Sequence, residues 1–553
     1  NDNYRFLGKF GLETIISDKL SFNSFLGVNL NNTKESIFFP DKGMDEYSDG
    51  EIKNIIKKQH HYLNSFYYDL NFKYRSLFDN TMEIKSAFGF LLNSNHYEAD
   101  YGISKNTPSD EFQSLSSGLP LYGEVAGNIG KWNWVSLYGN LQTSFKHRYF
   151  AGVNISIDGS SRTGKQAETF LNFFNTPFGF FPAANLAWRI SEEEFLKNIS
   201  WLNELKIRTS YGLSGNDDIG NFSSLFYYEQ RQYRETSGLV IGTKPNTSLK
   251  FETVITTDFG TDLALFNERL NMSFDYYIID TEDMLIYERQ EEYIGYPFVP
   301  TNGGSLTNKG TDLSLRLRML EKSNLYLDIG TNFSQFINEV TAIEGGELIT
   351  SIEGGEIISR VGDPVNSFYG YKTKGVFSTS EAASEAKMVN ERNMPYQAGD
   401  IIFEDISGPD GIPDNVIDDY DKVILGSPNP DFFGGAFFEL GWKRWTLSSL
   451  VQFVQGNEIF NYLRYRQESM SDMSNQLTSV LSRWQYETQE TDIPRARWED
   501  PIGNNAFSDR WIEDGSFIRW KNLTLAYTIP EEFLVFRNAR FYVTGYNLMV
   551  LTD

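Results

Sequence analysis

The sequence lacks cysteine altogether and contains only four histidines in 553 residues. Without cysteine, a disulfide-stabilised secreted domain and a cysteine-ligated zinc or iron–sulfur site are both excluded. Basic residues are also scarce, because 49 lysines and arginines face 74 aspartates and glutamates, for a net charge of −25. Phosphate binding needs a basic surface, so this balance argues against a nucleic-acid partner.

Long apolar segments are missing as well. No segment approaches the roughly 18 consecutive apolar residues of a membrane-spanning helix. Aromatic residues, in contrast, make up 15 % of the chain. A transmembrane β-barrel agrees with both features, because its strands alternate lipid-facing apolar residues with lumen-facing polar ones. The chain starts without methionine or a signal-peptide pattern, so we expect it to begin inside a mature chain or a piece of one.

Alternation with a period of two is the dominant pattern and predicts β-strands. The clearest run extends from Leu270 to Ile278, with apolar residues at every even position. Similar runs occur at 20–30, 66–74, 151–158, 313–319, 325–333 and 522–527. These runs have 6 to 11 residues, and those of 9 or more suit a tilted membrane-spanning strand of about 9–11 better than a globular strand of about 5–6. The lengths therefore favour a membrane barrel over a soluble sandwich.

The connections between these runs are of two kinds. Short turns such as 17–19, 146–148 and 442–444 alternate with long polar segments. The long segments are 35–58, 96–125, 160–177, 341–430 and 461–512. This asymmetry is typical of an outer-membrane barrel with short periplasmic turns and long extracellular loops. We expect about 16 strands, a number that fits either a complete porin or part of a larger barrel.

Tryptophans cluster near the predicted strand ends, at Trp132, Trp134, Trp188, Trp201, Trp442, Trp445, Trp511 and Trp520. Aromatic girdles at the two membrane interfaces explain this placement. Ordinary core packing is the alternative.

One acidic segment contains a dense set of oxygen ligands: Asp405, Asp410, Asp414, Asp418, Asp419 and Asp421. Calcium takes six to eight oxygen ligands, and an acidic loop with glycines can supply them. The spacing differs from that of an EF-hand, because Pro409 and Pro413 interrupt it. Calcium is the candidate cofactor, and a solvated acidic loop is the alternative.

Aromatic residues of the long connections are the candidate substrate contacts: Tyr227, Tyr228, Tyr233, Phe368, Tyr369, Tyr371, Tyr462 and Tyr465. Aromatic rings with a polar group can stack on sugars or grip a peptide. Packing within the loops is the alternative. No phosphate-binding loop, nucleophile elbow or metalloprotease motif occurs, so we expect no enzyme.

Several segments resemble the C-terminal part of the barrel of SusC-like TonB-dependent transporters, in the order of that family. The similar family motifs are "RRDGSSRF" at 156–162, "GWFPSVSLGWRISEEEF" at 179–195, "LKLRASYGVTGN" at 205–216, "SFYGY" at 367–371, the acidic "LGNPNPDF" region at 399–432 and "LRLKNVTLGYT" at 519–528. The resemblance is good from about residue 130 onward and weaker before it.

The resemblance implies a partial 22-stranded barrel over residues 1–553, in the outer membrane of a Bacteroidetes-type bacterium. About six strands and the plug would lie outside this chain. It also implies active import of oligosaccharides or peptides. The implied partners are a SusD-like surface lipoprotein, outer-membrane lipid, and the TonB–ExbB–ExbD complex, which would act through an N-terminal region that this chain does not include.

Two other functions remain open at this point. The barrel could serve as a structural scaffold in a surface or secretion assembly, with 341–430 and 461–512 as protein-interaction surfaces. A soluble β-rich adhesin is the third candidate, although the long alternating runs argue against it.

Overall fold

The computed structural model describes residues 1–42, 52–79, 81–173, 176–233, 236–242, 244–290, 298–529 and 539–552, with the main chain alone over 229–233 and 236–237. Strands dominate these ranges, and two α-helices of seven residues, Ser380–Ala386 and Tyr462–Glu468, are the α-helical segments in them. None of the helices described is long and apolar enough to cross a membrane. Strands thus make up most of the structure in the described ranges, as the alternation predicts.

The chain divides into two compact units. The first comprises 1–189, 208–256 and 282–303, and the second comprises 190–207, 257–281 and 304–553. The strands up to residue 241 are β1 Asp2–Ser17, β2 Leu20–Phe39, β3 Ile55–Phe78, β4 Met82–Lys105, β5 Glu124–Phe145, β6 Tyr149–Ser160, β7 Leu171–Phe173, β8 Thr176–Arg189, β9 Leu202–Asn216, β10 Tyr228–Tyr233 and β11 Thr236–Ile241.

The strands that follow are β12 Glu252–Leu265, β13 Leu270–Arg289, β14 Phe298–Lys322, β15 Leu325–Ile343, β16 Glu347–Ile352, β17 Gly355–Arg360, β18 Ser367–Gly370, β19 Thr373–Val376, β20 Val389–Asn390, β21 Ile401–Phe403, β22 Val416–Ile417, β23 Val423–Gly426, β24 Phe432–Trp442, β25 Trp445–Gln455, β26 Glu458–Phe460, β27 Ile512–Asp514, β28 Phe517–Thr528 and β29 Arg540–Leu551. Within the described residues, 17 strands belong to one large sheet. All of these except β7 have 11 to 25 residues. The expected number of about 16 long strands is confirmed.

The first unit is a series of antiparallel ladders between strands that follow one another in the sequence, from β1–β2 to β5–β6, with β6 paired to β8. The β3–β4 ladder runs without a break from Ile55↔Lys105 to Phe78↔Met82. Both strands have 24 residues and extend well beyond their apolar runs. The connection predicted at 96–125 therefore shrinks to 106–123. Backbone hydrogen bonds do not depend on side-chain polarity, so a ladder can continue where the alternation ends.

The second unit contains the ladders β14–β15, β15–β24, β24–β25, β25–β28 and β28–β29, all antiparallel. Arg318 pairs with Asp328 across the β14–β15 ladder. Arg316 lies two residues earlier on the same face, and both guanidinium groups contact the Asp328 carboxylate, at 2.6 and 2.8 Å. Leu315 and Leu317 alternate with these arginines and take the opposite face. The predicted polar and apolar faces of this strand are thus confirmed.

Aromatic residues flank the short turns of each unit. In the first unit, Tyr149 stacks on both Phe145 and Trp188. In the second unit, Trp442 and Trp445 oppose each other across a two-residue turn and are 54 and 43 % exposed. The exposure of these two tryptophans agrees with an interfacial girdle. Trp511 is instead completely buried and packs against Tyr465, as the core-packing alternative predicts.

Candidate ligand-binding site

Two long connections of the second unit fold together, namely 344–431 between β15 and β24, and 456–516 between β25 and β28. Because consecutive strands are antiparallel, both connections leave from the same end of their strands. The Tyr371 amide donates to the Phe507 carbonyl at 2.9 Å, and the Arg495 amide donates to the Gly399 carbonyl at 2.8 Å. Backbone groups that pair in this way no longer need water, so the two connections form one folded body, here called the loop domain.

The loop domain has its own hydrophobic core. Its members come from both connections and are at most 9 % exposed: Phe377, Ala383, Met388, Tyr396, Ile401, Phe403, Ile417 and Ile502. Full burial of a large apolar side chain is worth about 1.5–3 kcal/mol. This cluster therefore orders segments whose own secondary structure consists of strands of two to six residues and short helices.

A buried carboxylate links the two connections. Asp400 is completely buried, and the Arg495 guanidinium donates to its two oxygens at 2.8 and 2.7 Å. The Asn504 side-chain amide donates to the same carboxylate at 3.0 Å. A buried charge is tolerated only when it is paired and hydrogen-bonded in this way. Asp400 is thus an anchor of the loop domain.

A second ionic group surrounds Glu468. Its carboxylate accepts from Ser479 at 2.5 Å and from Arg464 at 3.1 Å, and lies 3.5 Å from Arg510. The Arg510 guanidinium also lies 4.5 Å from the centre of the Trp511 ring. Burial lowers the pKa of Arg510 to about 10, although the negative charge of the neighbouring Glu468 acts to raise it. The guanidinium therefore stays charged at neutral pH, and this group holds the second connection together.

The loop domain contains a cavity of about 440 Å³ that is open to solvent on one side. Ligand pockets have volumes of about 300–1,000 Å³. The buried part of its lining is aromatic and apolar, with Tyr396, Phe403 and Phe507 among its members. The exposed part carries charge, including Glu391 and Arg392. The cavity therefore offers an apolar interior behind a polar entrance.

Lys422 is the ionic centre of the cavity wall. Its ammonium lies 2.7 Å from Glu356, 2.8 Å from Asp419 and 5.7 Å from the centre of the Tyr371 ring. Burial alone would lower the pKa of Lys422, but the two carboxylates outweigh this effect and hold it above its ordinary value. Burial, reinforced by Asp419, raises the pKa of Tyr371. The lysine therefore stays charged and the phenol stays neutral at physiological pH.

Three of the eight predicted aromatic contacts line this cavity, namely Tyr369, Tyr371 and Tyr465. Phe368 is buried against Phe507 instead. Tyr462 stacks on Tyr465 with ring centres 6.2 Å apart and donates its hydroxyl to Glu353, but it does not line the cavity.

The other three predicted aromatic residues, Tyr227, Tyr228 and Tyr233, belong to the first unit. Tyr227 packs against Phe222, and Tyr228 is 68 % exposed. The side chain of Tyr233 lies outside the described residues.

The predicted calcium ligands have partners within the protein. The carboxylates of Asp405, Asp410, Asp414, Asp418 and Asp421 accept backbone N–H groups, and Asp419 pairs with Lys422. Asp421 is fully buried and accepts three such bonds, from residues 406, 407 and 418. No set of three or more histidines and carboxylates is arranged around a common metal position in the part of the chain described. Calcium binding stays a prediction, which calorimetric titration of CaCl₂ into the purified protein tests.

Sequence reasoning missed several residues that build the site. Lys422 had a detectable signal, because it is the single basic residue between 401 and 430 and follows the acidic segment directly. Tyr396 and the Asp400–Arg495 pair had no such signal in the sequence. The two partners of that pair are 95 residues apart, and nothing local indicates that they meet.

The sequence is similar to a known protein family and to several named relatives. The family described as "TonB dependent receptor-like, beta-barrel" matches residues 1–548. TonB-dependent receptor P3 of Formosa agariphila is 31 % identical over 433 residues, which cover 76 % of this chain and 41 % of that protein. TonB-dependent receptor SusC of Bacteroides thetaiotaomicron is 27 % identical over 417 residues, which cover 71 % of this chain and 38 % of that protein. The matched region thus spans about two fifths of the length of these relatives.

A solved structure of the RagAB peptide transporter matches the entire chain with a TM-score of 0.81. The sequence identity is 22 %, and the match covers 58 % of that structure's chain. At this identity the likeness establishes the fold.

Proposed function

The chain belongs to the family of TonB-dependent receptor β-barrels, and on this premise we propose that it is the barrel part of an active importer of oligosaccharides or peptides. A SusD-like surface lipoprotein would deliver the substrate. The TonB–ExbB–ExbD complex would supply energy through an N-terminal region outside this chain. The chain's own contribution would be the pathway through the membrane and the capture of substrate by its long connections.

Family membership confirms several of the sequence-based expectations. The chain resembles SusC, its fold is an antiparallel transmembrane β-barrel, and it resides in the outer membrane of Bacteroidetes-type bacteria. It is a receptor-type barrel and not an enzyme.

The observation that supports import most directly is the loop domain. A solvated loop would offer a substrate no preformed surface, whereas the loop domain has a hydrophobic core, a buried Asp400–Arg495 pair and a cavity. A preformed site lowers the entropic cost of binding, because its side chains are already ordered. Such a site suits the capture of a dilute nutrient.

The test of import uses the complete gene in its native host. Cells that carry the intact gene should deplete oligosaccharides or peptides from the medium, and deletion of the TonB-binding segment should abolish this uptake. Mass spectrometry of the medium measures depletion, and immunoblotting of outer membranes verifies equal amounts of both proteins. Unchanged uptake after the deletion would contradict the proposal.

One feature keeps the scaffold alternative open. Met473 and Leu481 in the loop domain are 89 and 70 % exposed, and exposed apolar side chains can mark a protein contact. A scaffold would co-purify with partners other than a lipoprotein, and its deletion would leave nutrient uptake unchanged. The uptake experiment therefore separates the two functions.

A further inference from the structure

Two short turns of the barrel contain basic residues and no acidic ones. The turn 146–148, between β5 and β6, has the sequence Lys-His-Arg, and the turn 443–444, between β24 and β25, has the sequence Lys-Arg. Together these basic turns contain four bases and no acid, in a chain whose net charge is −25. This local excess of positive charge indicates an anionic partner.

The shape of the basic turns does not explain their lysines. Lys146 and Lys443 have φ angles of 52 and 54°, in the left-handed region. Glycine adopts this region most readily, whereas a lysine is strained there. Short hairpin turns accordingly favour pairs that contain glycine, such as Asn-Gly. Since a glycine would close both turns with less strain, we attribute the lysines to their charge.

The ammonium groups of both lysines are available to a ligand. Lys146 Nζ lies 5.3 Å from the ring centre of Phe145, and Lys443 Nζ lies 5.4 Å from the ring centre of Trp442. Both lysines are exposed, and neither forms an ion pair with a carboxylate in the part of the chain that the structure describes. An ammonium has three N–H donors, and an aromatic ring face does not occupy all of them. Each lysine can therefore donate to an acceptor outside the protein.

The ring beside the first basic turn indicates the depth of Lys146 in the membrane. Phe145 continues the face of β5 that Leu137 and Leu141 form, because residues four positions apart on a strand share a face. These three side chains are 39 to 44 % exposed, as lipid-facing residues are. Aromatic rings at the end of such a face lie at the boundary between acyl chains and headgroups. Lys146 is the next residue, so it lies at the level of the headgroups.

The tryptophans beside the second basic turn give the same placement. Lys443 and Arg444 lie between Trp442 and Trp445, and Trp445 packs against Tyr527 with ring centres 4.8 Å apart. Short turns face the periplasm in outer-membrane barrels. The leaflet on that side consists of phospholipids, whose phosphates accept charge-assisted hydrogen bonds from lysine and arginine. A phospholipid is therefore the anionic partner that this position offers.

We propose that each of the basic turns 146–148 and 443–444 binds the headgroup of an anionic phospholipid in the periplasmic leaflet of the outer membrane. The phosphate accepts from the lysine and arginine side chains, and the acyl chains lie along Phe145 and Trp442. A zwitterionic headgroup fits less well, because its ammonium group would be repelled by the same bases. The proposal depends on the barrel fold and not on the import function.

The test measures lipid binding to the purified full-length protein in detergent by native mass spectrometry. The probes are phosphatidylglycerol and phosphatidylcholine with identical acyl chains, and inorganic phosphate is the competitor that lacks acyl chains. A double variant, Lys146→Gly with Lys443→Gly, removes one base from each turn and relieves the left-handed strain. A second double variant, Lys146→Arg with Lys443→Arg, keeps the charge.

Lys387→Gly is the matched control. Lys387 has a φ angle of 52° and is exposed, like the two turn lysines, but it caps the helix Ser380–Ala386 in the loop domain. The same substitution at the same backbone conformation therefore separates the effect of position from the effect of the residue change.

We expect phosphatidylglycerol to bind more tightly than phosphatidylcholine. The double glycine variant should bind phosphatidylglycerol about fivefold more weakly, the effect of one base near a membrane surface, with unchanged binding of phosphatidylcholine. Its unfolding temperature in lipid-free detergent should equal or exceed that of the native protein, because glycine tolerates the left-handed conformation. The double arginine variant and Lys387→Gly should bind both lipids as the native protein does.

Four results would overturn the proposal. The first three are equal binding of the two lipids, native affinity for phosphatidylglycerol in the double glycine variant, and an equal loss of affinity in Lys387→Gly. The fourth is displacement of phosphatidylglycerol by an equal concentration of inorganic phosphate, which would assign the basic turns to a free anion instead of a lipid.

Discussion

The strands of the second unit and its loop domain reach order by different means. In the ladder β24–β25, 11 residue pairs in continuous register join neighbouring strands of the sequence across a two-residue turn. In the loop domain, order depends on contacts such as Asp400–Arg495 between residues 95 positions apart. The strands thus use many repeated local interactions, whereas the loop domain depends on a few distant ones.

This difference determines how each region responds to a substitution. A ladder distributes its stability over many backbone hydrogen bonds, each worth about 0.5–1.5 kcal/mol net. The loop domain concentrates stability in buried side chains whose loss costs several times as much. Single substitutions should therefore unfold the loop domain while the strands remain intact.

The largest effect is expected for Phe377→Ala. Phe377 is 4 % exposed in the core of the loop domain, and truncation of a buried phenylalanine costs about 3–5 kcal/mol. Hydrogen exchange followed by mass spectrometry should show faster exchange over residues 373–426 and unchanged exchange over β24 and β25. Leu481→Ala, at a 70 % exposed position, is the control and should have little effect. Equal loss of protection in the strands would refute the separation of the two regions.

Asp400→Ala should give the next largest effect. It leaves the Arg495 guanidinium, which is 21 % exposed, without its buried partner. Removing one member of a buried ion pair costs about 3–5 kcal/mol, and the partial exposure of Arg495 places this variant near the lower value. Limited proteolysis should cut both connections of the loop domain faster than in the native protein. Glu385→Ala, on the exposed side of the helix Ser380–Ala386, should be cut at the native rate.

Asp328→Asn tests the strands and should have a smaller effect. Asp328 is 2 % exposed and contacts Arg316 and Arg318, but these arginines are 56 and 39 % exposed and retain contact with solvent. Solvent screening reduces the expected loss to about 1 kcal/mol. The melting temperature of the barrel should fall slightly, whereas exchange in the loop domain should not change. A loop domain that loosened in this variant would show that the two regions are coupled.

The smallest effect concerns pH. Burial raises the pKa of Asp500 in the loop domain above the ordinary value of about 3.9. The folded state therefore binds this proton more tightly than the unfolded chain, and the resulting stability is present at low pH and lost as the pH rises through the raised pKa. Exchange in the loop domain, corrected for the intrinsic rate, should become slower as the pH is lowered from 7 toward the ordinary carboxyl pKa. Asp500→Asn should reduce this difference without abolishing it, because burial also raises the pKa of Asp421. A pH dependence identical to that of the native protein would contradict the assignment to Asp500.

The strands were predictable because their signal is local. The run Leu270–Ile278 predicts a strand and lies within β13, since a residue's face follows from its position alone. The strand ends were less predictable. β3 and β4 continue for 24 residues because ladder hydrogen bonds accept polar residues as readily as apolar ones.

The site was only partly predictable. An aromatic residue in a long polar connection marks a candidate contact, and this reasoning found Tyr369, Tyr371 and Tyr465. It could not separate them from Phe368, which packs against Phe507 in the other connection. It also missed Tyr396, whose place in the cavity depends on the packing of both connections.

By itself, the sequence determined the fold class, the alternating faces of the strands and the family, because these are encoded in residue types at short, regular spacing. Only the tertiary structure decided that the two long connections form a loop domain with a cavity. That outcome depends on pairs such as Asp400 and Arg495, whose interaction exists only once distant segments have been brought together and water has been excluded.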